Sequence, residues 1–271
     1  MIANQGPITF FPKPVKIPPV ELSPEQQVLL DELLLKVPEL AQDEQEKEWL
    51  DRGCLLRYLR ATKWDLSKSI ERLQKTLAWR REYKPHEITS DHVQEEAVTG
   101  KQIISGFDKC GRPILYLIPA RENTKTYERQ MRYTVYNIEK IIKMMPEGVE
   151  TFCILVDYQD LSVMTAPPLS ISKQFLEIFG NHYPERMHIS FIVNPSWYIW
   201  VFFKLIRPFI DPVTASKLHF VGQNQTKKED GMGGYVELAD FIDDQMLLKN
   251  YGGTHDWDWD FEYYWNKIKH L

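Results

Sequence analysis

The sequence predicts an α/β protein in which a small all-helical domain precedes a larger domain with a mostly parallel sheet. Two observations support this fold class. Residues 23–84 carry apolar side chains at helical spacing, and beyond residue 102 short apolar runs alternate with helical segments. Strands that alternate with helices of this length are typical of α/β units with a mostly parallel sheet.

Capping residues mark the helical domain. Ser23, Pro24 and Gln26 form the pattern of a capping box with proline at the first helical position. A second helical run is expected over 45–60, and Asp65 caps a third whose apolar positions repeat at helical spacing. We expect this domain to cover residues 23–88.

An extended arm is expected before this domain, over residues 1–22, because five of its first 19 residues are proline. The arm is expected either to lie over the body of the protein or to be mobile. It lacks the basic start and uninterrupted apolar core of a signal peptide.

The period of the sequence changes in the second domain, which we expect over residues 89–253. The predicted strands are 103–107, 114–118, 151–156, 189–193 and 218–221, and the first two are joined by a hairpin sequence. The predicted helices are 127–145, 168–181 and 236–242, with an aromatic C-terminal helix from about 257 to 269 inside a final segment, 254–271. Residues 231–234 are glycine-rich and are interpreted as a flexible connection.

One almost entirely apolar segment, 197–210, organises this domain. It is too short for a membrane span, contains Lys204 and Arg207, and ends at Pro208. Its aromatic residues, among them Trp197, Trp200, Phe202 and Phe203, cover every face of a helix. Such a helix is either central to the core or has one face that meets lipid, and the residues leave both interpretations open.

Composition and motifs exclude several function classes. The net charge of −5 gives no global field for nucleic acid, and the 43% apolar fraction is ordinary. Three cysteines without close spacing indicate a reduced, intracellular protein, and the seven histidines show no metal-ligand spacing. No nucleophile elbow, dinucleotide motif or P-loop is present, so neither a cofactor nor a metal is expected. Cys54 and Arg60 match a phosphatase spacing, but the residues between them predict a helix.

Several motifs in order resemble the CRAL-TRIO lipid-binding family, and more narrowly its fungal phosphatidylinositol transfer proteins of the branch linked to azole resistance. They are LLRYLRATKWD, DKCGRP, ILVDYQD, YPERM, IVNPSW and RPFIDPVTASK, which lie within residues 24–253. The resemblance implies a hydrophobic pocket whose floor is the sheet and which is closed by a mobile gate helix. Here that helix corresponds to residues 197–207, with Gly252 and Gly253 near the gating region.

The resemblance also implies a binding site for the inositol headgroup. The family's glutamate, threonine and lysine match Glu185, Thr214 and Lys217, and the helical domain contributes Lys63, while a family arginine is replaced by Thr62. A carboxylate can accept hydrogen bonds from ring hydroxyls, and lysine with a hydroxyl can hold a phosphodiester. Alternatively, Glu185 and Lys217 form only a weak surface salt bridge.

The family's choline-lipid site is altered in this sequence. Its four polar positions fall at Phe152, Ile154, Leu115 and Ile104, which are all apolar. A buried phosphocholine phosphate would lack donors there, so we expect poor phosphatidylcholine binding. The same apolar pocket suits a sterol as a second ligand.

Together these features predict a non-enzymatic protein that binds phosphatidylinositol and moves it between membranes or presents it to a lipid kinase. We expect a cytoplasmic protein that associates with membranes peripherally and reversibly. The alternatives are a carrier of a sterol or another hydrophobe and a ligand-free interaction scaffold. A lipid-modifying enzyme would need an activated nucleophile or an acid–base pair, which these motifs lack.

Overall fold

A computed structural model describes residues 5–18, 20–162, 168–222 and 234–271 of the chain. The α-helices of these parts are α1 Pro24–Leu40, α2 Glu44–Trp49, α3 Arg52–Ala61, α4 Leu66–Tyr83, α5 Ser90–Ala97, α6 Tyr127–Lys143, α7 Leu169–His182, α8 Trp197–Ile206, α9 Pro212–Ser216, α10 Leu238–Phe241 and α11 Phe261–Ile268. The strands are β1 Gln102–Phe107, β2 Pro113–Leu117, β3 Phe152–Asp157, β4 Met187–Val193, β5 Leu218–Val221 and β6 Tyr235–Val236.

The predicted caps begin the helices of the N-terminal domain. Ser23 and Gln26 form the capping box of α1, and the Asp65 carboxylate caps α4. The single helix predicted over 45–60 is wrong, because the chain breaks between α2 and α3. There the Asp51 carboxylate accepts a hydrogen bond from the backbone N–H of Cys54 at 2.6 Å and starts a new helix. Cys54 is buried in α3, and burial raises the pKa of its thiol to about 11, so it does not resemble a phosphatase nucleophile.

The sheet has six strands in the order β1 to β6. The hairpin strands β1 and β2 are antiparallel, and every other neighbouring pair is parallel. The α/β class and the mostly parallel sheet are therefore confirmed. Neither β6, which has two residues, nor α5 was predicted from the sequence. The glycine-rich residues 231–233 lie outside the described residues.

The outer edge of β1 is covered from both ends of the chain. The described part of the N-terminal arm lies on the body: Ile8 accepts a hydrogen bond from the Gly106 N–H at 3.3 Å, and the Phe11 ring packs 5.5 Å from Phe107. The Tyr264 hydroxyl of α11 accepts from the Ile104 N–H at 2.9 Å. The C-terminal helix begins later than predicted, at Phe261, because Asp260 caps it.

Two buried clusters form the interior. One lies among α1, α3 and α4, and the other surrounds the sheet and includes α11. Ion pairs cross the boundary between them, with Arg80 2.9 Å from Glu139 and Arg60 2.5 Å from Glu150. None of the described helices is both long and apolar enough to cross a bilayer.

Candidate functional site

The turn between α7 and β4 presents Glu185. Its φ of 58° lies in the left-handed region, which is uncommon for a residue with a side chain. The flanking residues fix this turn: the Tyr183 hydroxyl donates to Glu139 at 2.7 Å, and the Arg186 guanidinium donates to the Glu150 carbonyl at 2.9 Å. Glu185 itself remains partly exposed. The turn therefore holds its carboxylate at the surface.

The short helix α9 supplies the other two predicted headgroup residues. Asp211 caps this helix by accepting from the Thr214 N–H at 2.9 Å, and it also accepts from the Thr214 hydroxyl. Lys217 follows one turn later, and its ammonium donates to the Met187 carbonyl at 3.0 Å. The Lys217 Nζ lies 4.0 Å from the Glu185 Oε2. The structure thus brings Glu185 and Lys217 together although they are distant in sequence, and Thr214 lies one helical turn before Lys217.

The predicted salt bridge between Glu185 and Lys217 is loose. A separation of 4.0 Å exceeds that of a charge-assisted hydrogen bond, which is about 2.8 Å. Both side chains keep solvent access, with 35% and 26% exposed, respectively. Such a pair contributes little to folding, and its polar atoms remain open to another partner.

Lys63 is exposed and lies beyond the end of α3, with a left-handed φ of 56°. In the described part of the chain it forms no ion pair. Among the described residues no hydrogen bond or ion pair joins it to Glu185 or Lys217, so Lys63 stands apart from that pair.

The four predicted pocket residues lie on one face of the sheet. Register pairs Ile104 with Leu115 and Leu115 with Ile154, and all three are buried. Since paired residues on neighbouring strands point to the same side, they form a continuous row. Phe152 lies two residues before Ile154 on the same face, where its ring meets Phe179 of α7 at 6.0 Å.

The row continues into β4 and β5, beyond the four residues predicted from the sequence. Ser190 of β4 pairs with Ile154, and Leu218 of β5 pairs with Ser190. Ser190 is buried and is the one hydroxyl in this five-residue row. This row is therefore apolar except at one position.

The gate candidate α8 is a surface helix packed on this face of the sheet. Its inner residues Ile199, Phe203 and Ile206 are buried. The Trp200 ring stacks on Phe220 of β5 at 3.8 Å, and Phe202 is half-buried. The interpretation that the helix is central to the core is therefore wrong.

The outer face of α8 is apolar and continues beyond the helix. Its exposed residues repeat every four positions and are between 47% and 76% exposed: Trp197, Val201, Leu205, Phe209 and Val213. The Lys173 ammonium lies 3.9 Å from the centre of the Phe209 ring, and Lys204 is exposed beside them. We call these five apolar residues the outer stripe. A stripe of this kind with cations beside it fits a membrane interface.

Asn194 and the two glycines predicted near the gating region have restrictive backbone conformations. Asn194, just before α8, has a φ of 52°, and Gly252 has a φ of 90°. A Cβ added to Gly253 would lie 1.8 Å from the Leu247 carbonyl oxygen, so only glycine fits there.

A polar cavity of about 260 Å³ lies at the boundary between the helical domain and the α/β domain. Pro184 and Arg186, which flank Glu185, contribute to its wall, as do Arg57 and His182. Burial and the nearby Arg57 charge lower the pKa of Arg186 to about 10. Burial, with the charges of Arg72 and Arg80, lowers the pKa of His182 to about 4. The His182 ring stacks on Trp79 at 4.2 Å.

Comparisons with known proteins identify the family. The CRAL/TRIO domain model matches residues 97–253, and the CRAL/TRIO N-terminal domain model matches residues 29–75. A CRAL-TRIO domain-containing protein of Schizosaccharomyces pombe is 41% identical over 228 residues, which are 84% of this chain and 21% of that protein. The phosphatidylinositol transfer protein PDR17 of Saccharomyces cerevisiae is 37% identical over 232 residues, which are 81% of this chain and 62% of that protein. The chain thus spans less than two thirds of either relative.

A solved structure, that of Sfh5, shares the fold with a TM-score of 0.68 and 18% identity, and the match covers 90% of this chain and 93% of that one. The two family models match the two domains of the fold: the N-terminal model matches the helical domain, and the CRAL/TRIO model matches the domain with the sheet. The chain belongs to the CRAL-TRIO family of lipid-binding and transfer proteins.

Proposed function

We propose that this protein binds phosphatidylinositol and transfers it between membranes, and that it carries phosphatidylcholine poorly. The observation that carries the proposal is that Glu185 and Lys217 meet beside an apolar row of the sheet, with Thr214 one helical turn before Lys217. A carboxylate accepts hydrogen bonds from ring hydroxyls, and the lysine with the hydroxyl suits a phosphodiester. The relative PDR17, named as a phosphatidylinositol transfer protein, supports the same ligand.

The floor of the sheet supports the selectivity. Ile104, Leu115 and Ile154 offer no donor to a phosphocholine phosphate, and a buried anion without donors is strongly disfavoured. Phosphatidylinositol avoids this cost because its headgroup would lie at the partly exposed Glu185 and Lys217 instead. Lys63 is proposed to approach the phosphate from the helical domain once lipid is bound.

The outer stripe supports a membrane-contact step. A lipid with two acyl chains needs an opening, and α8 is the element that combines an exposed apolar face with flanking irregular backbone. We infer that α8 moves away from the sheet while its outer stripe enters the interface. Membrane association would be peripheral and transient, and a lipid kinase could receive the presented phosphatidylinositol. Transfer of an unmodified lipid is consistent with a family of carriers rather than enzymes.

A sterol or another bulky hydrophobe is the second candidate ligand, and the apolar floor favours it. A ligand-free scaffold is the third possibility. A sterol carrier would move a sterol in a transfer assay, and a scaffold would move no lipid.

The test compares two lipids in one transfer assay between donor and acceptor vesicles. The wild type should move phosphatidylinositol and leave phosphatidylcholine behind. Ile154→Thr should raise phosphatidylcholine transfer by adding a second hydroxyl to the floor, beside that of Ser190. Comparable wild-type rates for both lipids would contradict the selectivity. Transfer of a sterol alone would favour the second candidate.

A further inference from the structure

Three segments of the chain meet at one buried carboxylate, that of Asp157 at the carboxyl end of β3. It accepts hydrogen bonds from the Asn194 side-chain amide at 3.0 Å, from the Tyr251 hydroxyl at 2.9 Å and from the Gln159 backbone N–H at 2.9 Å. Asp157 is only 7% exposed. One side chain therefore contacts the segment that enters α8 and the segment that precedes Gly252.

The three hydrogen-bond donors to the Asp157 carboxylate are all neutral groups. Among the described residues no lysine, arginine or histidine lies within 4.0 Å of its carboxylate. A buried carboxylate depends on every donor it has, because an unsatisfied charge in the interior is costly. Loss of either the Asn194 amide or the Tyr251 hydroxyl would therefore leave part of the buried charge unsatisfied and favour opening of this site to water.

The two donors belong to segments that differ in their packing. The Tyr251 ring stacks on Tyr116 of β2 at 5.5 Å, which ties this residue to the sheet. Asn194 lies in the short connection between β4 and α8, with a left-handed φ of 52°, and its side-chain amide also donates to the Gln159 side-chain oxygen at 3.4 Å. The Tyr251 side is thus anchored, and the Asn194 side is the one that can move with α8.

We propose that Asp157 is a positioning residue that fastens the entry of α8 to the Gly252–Gly253 turn and sets the rate at which α8 leaves the sheet. This inference rests on the proposed function, since it assumes that α8 is the gate. Opening requires the Asn194 amide to leave the carboxylate, and water must replace it. The bond to Tyr251 keeps the carboxylate in place for reclosure.

The test measures unloading of a fluorescent phosphatidylinositol from the purified full chain into acceptor vesicles. Asp157→Asn, Asn194→Gly and Tyr251→Phe should each accelerate unloading, by roughly tenfold for removal of one hydrogen bond to a charged group. Glycine at position 194 keeps the left-handed backbone. Tyr127→Phe, which removes an exposed hydroxyl from α6, is the matched control and should change nothing.

Two further measurements distinguish control of α8 opening by Asp157 from a purely structural role of this residue. Hydrogen exchange of the α8 amides should rise in the variants while that of the α4 amides stays unchanged. Adding Tyr251→Phe to Asp157→Asn should have little further effect, because both changes act through one carboxylate. Unchanged unloading and unchanged α8 exchange in a folded variant would overturn the proposal, as would fully additive effects. If Asp157→Asn does not fold, Tyr251→Phe and Asn194→Gly decide the question in the same way.

A cross-linked protein separates failure of this proposal from failure of the gate. Cysteines at Trp200 and Tyr235, whose rings lie 6.4 Å apart, would be joined by a thiol cross-linker in a Cys110→Ser background, since Cys110 is exposed. If the joined protein unloads as fast as the free one, α8 is not the gate and both ideas fall. If joining stops unloading but Asp157→Asn has no effect, only the role of Asp157 is wrong.

Discussion

Removal of both charges from the predicted headgroup site should abolish phosphatidylinositol transfer with little effect on folding. In Glu185→Ala/Lys217→Ala the fold loses an ion pair at 4.0 Å and the bond from Lys217 to the Met187 carbonyl at 3.0 Å. The first contributes less than about 1 kcal/mol and the second about 1 kcal/mol. The alanine at position 185 inherits the left-handed backbone, so no new strain is added.

The expected loss of binding is much larger. Two charge-assisted hydrogen bonds to the headgroup contribute roughly 3 to 6 kcal/mol together, so affinity should fall by more than about a hundredfold. The assay is transfer of labelled phosphatidylinositol between vesicles, with thermal unfolding measured in parallel. Glu71→Ala/Lys75→Ala is the matched control, because it removes a surface ion pair at 2.6 Å on α4 and leaves net charge unchanged. A folded double variant that transfers at the wild-type rate would refute the headgroup assignment.

Three further predictions concern the outer stripe, His182 and Gly253. Trp197→Ala/Leu205→Asp should weaken flotation with vesicles, since each lost apolar side chain removes about 1.5 to 3 kcal/mol of burial in the interface. The control is Leu35→Asp, because Leu35 is as exposed as Trp197, at 76%. Equal flotation of the two variants would contradict the role of the outer stripe. His182 has a folded-state pKa of about 4, below its unfolded value of 6.5, so the unfolded state binds more protons and stability should fall as pH drops from about 6.5 to 4. The loss should be about 1 to 2 kcal/mol after allowance for solvent screening, and urea titrations of His182→Phe should show a shallower pH dependence; an identical slope would contradict the assignment. Gly253→Ala should lower the unfolding temperature by several degrees, because its Cβ would meet the Leu247 carbonyl. Gly180→Ala in α7, where the added Cβ meets open space, should leave the unfolding temperature unchanged or raise it. Similar unfolding temperatures for both variants would contradict the predicted clash at Gly253.

Local chemistry predicted much of the secondary structure. Ser23 and Asp65 cap helices because their side chains meet N–H groups within the same turn, which the sequence shows directly. Asp51 was missed because it lies within a run that reads as one amphipathic helix. The orientation of α8 could not be predicted, because aromatic residues occur all around the helix and no polar face marks the side that meets solvent. The structure shows that Phe203 points inward and Trp197 outward.

The candidate site depends on tertiary structure that spacing does not reveal. Glu185 and Lys217 are separated in sequence by β4, α8 and α9, and only the folded chain brings them within 4.0 Å. Their association was inferred from the family resemblance alone. The row that joins Ile154 to Ser190 depends on strand register, which pairing fixes and the sequence leaves open. Asp157 was missed for the same reason, because its partners come from two distant loops.

The lipid that the protein carries is the most direct test of its proposed function. Protein purified without added lipid would be extracted with organic solvent, and the extract would be identified by mass spectrometry beside an extract of the Glu185→Ala/Lys217→Ala variant. We predict phosphatidylinositol in the wild type, little phosphatidylcholine, and strong depletion of phosphatidylinositol in the variant. A wild-type extract that contains phosphatidylcholine or a sterol without phosphatidylinositol, or that contains no lipid, would contradict this account.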